Sequence, residues 1–519
     1  MSGPGQIPEW RPRHSPWLIA VAVMGATFME VLDSSVANVA LPHIAGNLSV
    51  TTTEATWVLT SYLVSNAIVL PMTGWLGNHF GRKRLLMTCV VLFTIASALC
   101  GLAVNLPMLI VSRIIQGIGG GAMVPIAQSV LLESFPPAKR GVAMATFALG
   151  VVVAPILGPT LGGWITDNYS WRWIFYINLP IGIIAVLLQS WAVEDPPYIK
   201  RNEEAKMDFI GFGLLTVWLG TLQIVLDKGQ EADWFEANWI CWFALICVGS
   251  FIAFIIREFR AEHPLVDLRI FANRNYAVGV LLMTIVGAVL YGTVAAQPIF
   301  LQTLMGYSAL SSGLALSPRG LGAFVTTMII GQIVGKVRNR HLLMIGFALL
   351  ATSSFWLGMI NLDIAMGNVA WPGVLNGVAI SFIFVPLTTA TMGHLRQTQI
   401  ANAAGLFNLM RNIGGSIGIS IATTFVARHA QDHQNILVAH FTPYDTAYTE
   451  RLQTLQTALG TPHDSSSALA NLYHTLIQQA TTMAYVDTFR WLALACLIGT
   501  PTVIFFKKVQ SRGAPTLAH

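Results

Sequence analysis

Four polar residues stand inside long apolar runs and could do chemistry there: Glu30, Asp33, Arg113 and Gln116. Glu30 and Asp33 are three residues apart, which on a helix puts both carboxyl groups on one face. Arg113 and Gln116 repeat that spacing in another run. Ionisable side chains cost several kcal/mol within a bilayer and by default mark function. Burial disfavours a charged carboxylate and a neighbouring guanidinium favours it, so a site combining both can trade a proton. A static buried ion pair is the competing reading. Asn38, Gln116 and Gln297, with the aromatic Trp57, Tyr62, Tyr291 and Phe384, are candidates for contacting an amphipathic substrate. Lipid contact or core packing is the competing fate of each aromatic residue.

The elements that must position these groups follow from composition. The chain has 519 residues, 54% hydrophobic and 10% charged. A soluble chain carries about 25% charged residues, so much of this one has lipid as its solvent. The net charge of +5 resides largely in short loops between apolar runs, which points to membrane topology rather than nucleic acid. Cys89, Cys100, Cys241, Cys247 and Cys496 lie in apolar segments at spacings that fit no zinc or redox motif. No metal site and no cofactor is expected.

A spanning helix needs about 20 mostly apolar residues, and about fourteen segments satisfy that. In order they are Pro16–Leu41, Thr56–Trp75, Leu85–Ala103, Pro107–Leu132, Gly141–Ile165, Trp173–Ala192, Met207–Leu226, Trp239–Arg257, Tyr276–Leu301, Ser311–Val334, His341–Leu362, Val369–Met392, Ala404–Val426 and Met483–Phe506. The first is too long, and with Glu30 and Asp33 too charged, to be a cleaved signal peptide.

Basic residues at Arg82 to Arg84, Lys139-Arg140, Lys200-Arg201 with Lys206, Arg257 to Arg274, Lys336 to Arg340, Arg396 and Lys507-Lys508 fall on one side. The positive-inside rule makes that side, and both termini, cytoplasmic. The expected division is a tail over 1–16, a six-helix bundle over 17–193, a linker with two further helices over 194–275, a second six-helix bundle over 276–506 and a tail over 507–519. The second bundle includes a long external loop, 428–482, with helical promise over Thr449 to Leu459 and Ser466 to Gln479. Its histidines His429, His433, His440, His463 and His474 read as solvated loop residues, since acidic or cysteine partners at ligand spacing are lacking.

A faint repeat supports two halves. Gly74 to Arg84 follows the second segment, and Gly331 to Arg340 follows the tenth, each a glycine-punctuated basic turn. Small residues recur every fourth position at Gly150, Ala154, Gly158 and Gly162, beside Pro155 and Pro159. Gly414 and Gly418 repeat the theme in the thirteenth segment, and Gly117 and Gly121 in the fourth. Such stripes let helix backbones approach closely, and proline loosens local hydrogen bonding.

Several blocks together resemble a known family. They are Leu32 to Pro42 (LDSSVANVALP), Gly74 to Arg84, Arg113 to Gly117, Gly158 to Gly163 (GPTLGG) and Trp171 to Pro180 (WRWIFYINLP). Over nearly its whole length the chain is similar to the fourteen-span drug:proton antiporters of the major facilitator superfamily, the EmrB/QacA type. The resemblance implies an all-α integral membrane fold of two six-helix bundles plus two extra helices. It implies export of amphipathic molecules, drugs among them, across a bacterial inner membrane, driven by the proton gradient. Asp33, Glu30 and Arg113 would couple the proton; Gly74, Asn78, Gly81 and Arg82 would form a gating loop; Gly150, Gly158, Pro159, Gly162, Gly414 and Gly418 would pack moving helices. A periplasmic membrane-fusion adaptor and an outer-membrane channel are the implied partners. One departure is the Asn78-His79 pair, where the family's loop carries Asp-Arg. Rival readings are an exporter of a native metabolite or siderophore, a proton-coupled importer, and an intramembrane enzyme.

Overall fold

The computed structural model describes residues 12–136, 139–195, 208–262, 264–334, 336–393, 395, 399–458 and 465–506. Lys200, Arg201, Lys206, Arg396, His463, Lys507 and Lys508, with residues 1–11 of the tail, lie outside them.

Each expected segment is helical, because a backbone in lipid must satisfy its own hydrogen bonds. Twelve helices among the described residues are long and apolar enough to cross a membrane. The second and thirteenth segments fall outside that set for identifiable reasons. In the second, Pro71 has no N–H to donate, and a 3-10 turn at Leu70–Met72 divides it into Trp57–Val69 and Thr73–Phe80. The thirteenth, Ile400–Val438, carries Asn402, Asn408, Arg411 and Asn412 along its first turns, which lower its hydropathy. Local signals set several starts: the side chains of Asn105, Asp208, Asn273 and Ser308 each accept a first-turn backbone N–H. Arg257 also hydrogen-bonds Asp208 and holds its carboxyl below the ordinary carboxylate range.

The helices form two bundles with the same internal plan. In the first, segment 1 packs on segments 5 and 6, segment 4 on segments 2 and 3, and segment 3 on segment 6. In the second, segment 9 packs on 13 and 14, segment 12 on 10 and 11, and segment 11 on 14. Segments 7 and 8 pack on each other, and segment 7 also touches segments 2 and 13.

The two halves meet through segment 5 against segments 10 and 12, and through segment 13 against segments 2 and 4. At the end carrying the basic loops these contacts are tight. A Cβ on Gly74 would lie 2.9 Å from Asn402 Cα, and one on Gly331 would lie 2.7 Å from Ala145 Cβ. The two glycine-punctuated turns therefore press on matching helix starts of the opposite half. Asn408 Nδ2 donates to Gln128 Oε1 at 2.8 Å, and the rings of Phe147 and Phe384 stack at 6.2 Å. Toward the other end segment 7 sits against both segment 2 and segment 13: Lys228 Nζ donates to Thr56 Oγ1 at 2.6 Å and Ser416 Oγ to Gln223 Oε1 at 2.8 Å.

The expected external loop is largely helix. Segment 13 continues to Val438, a separate helix spans Thr446–Ala458, and segment 14 begins at Ser465. The 39-residue helix is about 58 Å long at 1.5 Å per residue, roughly twice a hydrocarbon core of about 30 Å. His433 Nε2 lies 2.8 Å from Asp487 Oδ2 of segment 14, and Gln434 Nε2 donates to Tyr473 OH at 3.0 Å, tying the two extensions together.

Candidate functional site

Asp33 sits mid-way along segment 1, 3% exposed, with its carboxylate turned into the first bundle. Two other segments supply its partners. Arg113 Nη1 donates to Oδ2 at 2.6 Å, Gln116 Nε2 to Oδ1 at 2.9 Å, and Asn178 Nδ2 to Oδ1 at 2.7 Å. The spacing of Arg113 and Gln116 puts both on one face of segment 4, and they bond each other at 2.7 Å. Arg113 is fully buried, stacks 4.2 Å over the Tyr62 ring, and donates Nε to the Val58 carbonyl at 3.0 Å. Charge-assisted bonds in a low-dielectric interior are the strong ones, so this cluster fixes the Asp33 side chain in place.

Glu30, one turn away, has a different environment. Its Oε1 accepts from Tyr62 OH at 3.0 Å and from Asn66 Nδ2 at 3.1 Å, and among the described residues no cation pairs with it directly. Tyr62 links the two carboxyl sites, bonding Glu30 with its hydroxyl and Arg113 with its ring face.

The other expected site residues are distributed more widely. Asn38 is exposed, donating to the Ser34 carbonyl one turn back, and Trp57 is half-buried with Lys228 over its ring. Tyr291 is half-buried, where a Cβ on Gly415 would lie 2.7 Å from its ring. Gln297 is buried and bonded by Arg319, and Phe384 stacks on Phe147. Tyr62 and Gln116 therefore join the carboxylate network, while Asn38, Trp57, Tyr291, Gln297 and Phe384 stand away from it.

Sequence reasoning passed over Asn66, Ser97 and Asn178, and over the buried cations Arg319 and Arg411. Ser97 accepts from Asn178 at 3.0 Å and so fixes the amide that faces Asp33. Neutral amides and hydroxyls are common in membrane helices and announce nothing by spacing. Arg319 and Arg411, in contrast, carry the same signal as Arg113, a charge inside an apolar run.

The loop after segment 2 has its own electrostatics. Asn78 is exposed, and the acid missing there is found at Asp195. Asp195 Oδ1 accepts the Lys83 backbone N–H at 2.8 Å, capping the N-terminus of the third helix, where negative charge is favoured. Arg82 forms a buried ion pair with Glu133 of segment 4. Gly81 adopts φ 85° and ψ 152°, a conformation essentially confined to glycine, and a Cβ there would lie 2.6 Å from Asp195 Oδ2. Gly81→Ala is expected to destabilise the protein by about 1–3 kcal/mol. A lower thermal midpoint in detergent reads this out; an unchanged midpoint refutes it.

The small-residue stripes lie at helix contacts. A Cβ on Gly158 would collide with the Ser35 side chain, and one on Gly162 would lie 2.9 Å from Val36 Cγ1. Ser35 Oγ donates to the Pro155 carbonyl at 2.9 Å, a bond left available by Pro159, which has no N–H. Gly150 faces Met24, and Gly414 and Gly418 meet the backbone of Thr284 and Ala288.

Comparison with known proteins agrees with this architecture. Residues 23–419 match the family model described as Major Facilitator Superfamily. The chain is 38% identical over 498 residues to the multidrug export protein EmrB of Haemophilus influenzae, covering 95% of each chain. It is 41% identical over 429 residues to the fatty acid resistance protein FarB of Neisseria gonorrhoeae, covering 82% of this chain and 83% of that one. The crystal structure of the human organic anion transporter MFSD10 shares the fold, with a TM-score of 0.59 at 13% identity over 93% of this chain and 100% of that one. With the two matched bundles, the added helix pair and these relatives, the chain belongs to the Major Facilitator Superfamily, among the transporters related to EmrB.

Proposed function

We propose that the protein is a proton-coupled antiporter that exports amphipathic small molecules from the cytoplasm by alternating access. The observation that carries this reading is the Asp33 carboxylate, buried between moving-bundle helices and bonded by Arg113, Gln116 and Asn178 from two other segments. Protonation of Asp33 removes the charge that holds Arg113, so cargo and proton can compete for one local arrangement. Glu30, linked to Asp33 through Tyr62 and Arg113, is the second proton carrier. Two matched halves that touch tightly at the basic-loop end suit rocking about a midplane site.

The relatives named as multidrug export and fatty acid resistance proteins support export of amphipathic compounds as the direction and class. We place both termini and the basic loops in the cytoplasm, in a bacterial inner membrane, and read the chain as the permease of a tripartite pump. The long helical extensions of segments 13 and 14 then project into the periplasm as the docking surface for a membrane-fusion adaptor, which leads to an outer-membrane channel. Nothing in this reading calls for a catalytic group.

The test is direct. Adding tetraphenylphosphonium to purified protein in weakly buffered detergent is expected to acidify the medium, as bound cation displaces protons. No acidification with any of several amphipathic cations or anions would remove the coupling.

A further inference from the structure

The groups that bond Asp33 have their own directions held by further partners. Oδ2 faces Arg113 Nη1, and Oδ1 faces Gln116 Nε2 and Asn178 Nδ2. A guanidinium only donates, so a proton on Oδ2 would find no acceptor in Arg113. Gln116 is locked by the same guanidinium. Its Oε1 receives Arg113 Nη1 at 2.7 Å and Cys100 Sγ at 3.5 Å, and turning the amide over would set its N–H against that of Arg113.

Asn178, which opens the helix Asn178–Ala192, is locked by a group that can change its role. Its Nδ2 gives one hydrogen to Asp33 Oδ1 at 2.7 Å and the other to Ser97 Oγ at 3.0 Å. Its own Oδ1 is buried and, among the described residues, has no hydrogen-bond partner. Ser97, fully buried on segment 3, gives its single hydrogen to the Phe175 carbonyl at 2.9 Å and so shows Asn178 only lone pairs. A hydroxyl rotates, however. Once Ser97 turns its hydrogen from Phe175 to Asn178, the amide can reverse, and its oxygen then accepts from both Ser97 and a protonated Asp33 Oδ1. While Asp33 is ionised, the reversed amide would set oxygen against oxygen.

We propose that the Asn178 amide reports the protonation of Asp33 by turning over, and that the Ser97 hydroxyl is the positioning group that governs the turn. This rests on the reading of Asp33 as a proton carrier and adds what responds to the proton. The step takes one proton from water onto Oδ1. It trades the bonds Asn178 to Asp33, Asn178 to Ser97 and Ser97 to Phe175 for Asp33 to Asn178 and Ser97 to Asn178. Ser97 therefore sides with the ionised arrangement by about one hydrogen bond. The Phe175 carbonyl it releases belongs to the short helix Trp173–Tyr176, so the turn is felt where the chain enters segment 6. The other titratable or charged groups facing the cluster are Arg113, Tyr62 of segment 2, Cys100 of segment 3 and Glu30 one turn back on segment 1. Segment 5 has none between Arg140 and Asp167, and Tyr176 of segment 6 lies against Gly101.

The test is an infrared pH titration of the full protein in nanodiscs, without substrate, with asparagine isotopically labelled in its side-chain carbonyl. The Asp33 carboxyl band is the one absent from Asp33→Asn. In wild type a labelled asparagine band is expected to shift with the same midpoint as the Asp33 band, and to stop shifting in Asp33→Asn while still shifting in Glu30→Gln. Ser97→Ala loses two bonds from the ionised arrangement and one from the protonated arrangement, so its Asp33 midpoint is expected to rise by about half to one pH unit. Ser97→Thr keeps the hydroxyl and is expected to titrate with wild type. A folded Ser97→Ala protein with the wild-type midpoint overturns the inference. So does wild type in which the Asp33 band titrates and no labelled asparagine band moves with it, or in which no Asp33 band titrates, even if Ser97→Ala does not fold. The export reading is judged separately, by proton release with tetraphenylphosphonium. If the amide turns and no proton is released, the export reading alone falls; if protons are released and the amide stays still, the Asn178 inference alone falls.

Discussion

Asp33→Asn is expected to abolish proton-driven efflux while leaving folded protein in the membrane. Asparagine is close to isosteric with aspartate, and its carbonyl oxygen can still accept from Gln116 and Asn178, which now bond Asp33 Oδ1 at 2.9 and 2.7 Å. What disappears is the charge facing Arg113 and, with it, the proton carrier of the proposed mechanism. Arg113 keeps its bonds to Gln116 and to the Val58 carbonyl and its contact with the Tyr62 ring, so it is not stranded. One charge moved across 150 mV is worth about 3.5 kcal/mol, which supports a gradient of roughly 300-fold. Exchange of one proton for one monovalent cation moves no net charge and uses only the pH difference; a second carboxylate, Glu30, allows more. The variant should therefore lose uphill accumulation in everted vesicles and release no proton on substrate binding, yet still exchange substrate for substrate in counterflow. Wild-type proton release from Asp33→Asn would sink the role. Arg113→Ala is the harsher change, because it leaves Asp33 charged and buried without its cation, at a cost of about 3–5 kcal/mol.

The contrast between these residues and their supports shows what an amino-acid sequence discloses in a membrane protein. Asp33, Glu30 and Arg113 stood out because a charge in an apolar run is improbable without a use. The bundles were legible for the same reason, since lipid enforces helices and helices of fixed length. Asn178, Ser97 and Asn66 were not legible. They reach the carboxylates from segments distant in the chain, and only the packing of segments 1, 3, 4 and 6 brings them together. Asp195 was hidden similarly: the acid absent at position 78 is supplied over a hundred residues later, at a helix N-terminus that folding creates. The break in segment 2 was written in Pro71, which apolar periodicity ignores. The helical continuation of segment 14 was partly visible in the helical promise of Ser466 to Gln479, but the continuation of segment 13 to Val438 and its tie to segment 14 through His433 and Asp487 were not.

Gly418→Ala and Gly249→Ala are expected to change stability in opposite directions, although both put a methyl group into a membrane helix. Alanine is the better helix former by about 1 kcal/mol, so where space is free the substitution stabilises. Gly249 in segment 8 has nothing within 4 Å of a built Cβ and faces away from the bundles. Gly418 meets the Ala288 backbone of segment 9, carbonyl oxygen included, and backbone cannot rotate aside as a side chain can. Segments 9 and 13 would have to separate, which overpacks or opens the contact at a cost of about 1–3 kcal/mol. The related joint between segments 1 and 5 has the same construction, with Gly158 against Ser35, so Gly158→Ala should behave like Gly418→Ala. Both joints lie inside a bundle rather than between bundles, so what they supply is the rigidity that lets each half move as one body. On the antiport reading proposed above, a looser joint would absorb the change at Asp33 as local give instead of turning one half against the other. Thermal unfolding in detergent should show a lower midpoint for Gly418→Ala and Gly158→Ala and an equal or higher one for Gly249→Ala. Transport should fall in the first two and persist in the third. Equal midpoints for Gly418→Ala and Gly249→Ala would mean that the close backbone approach is not what holds the second half together.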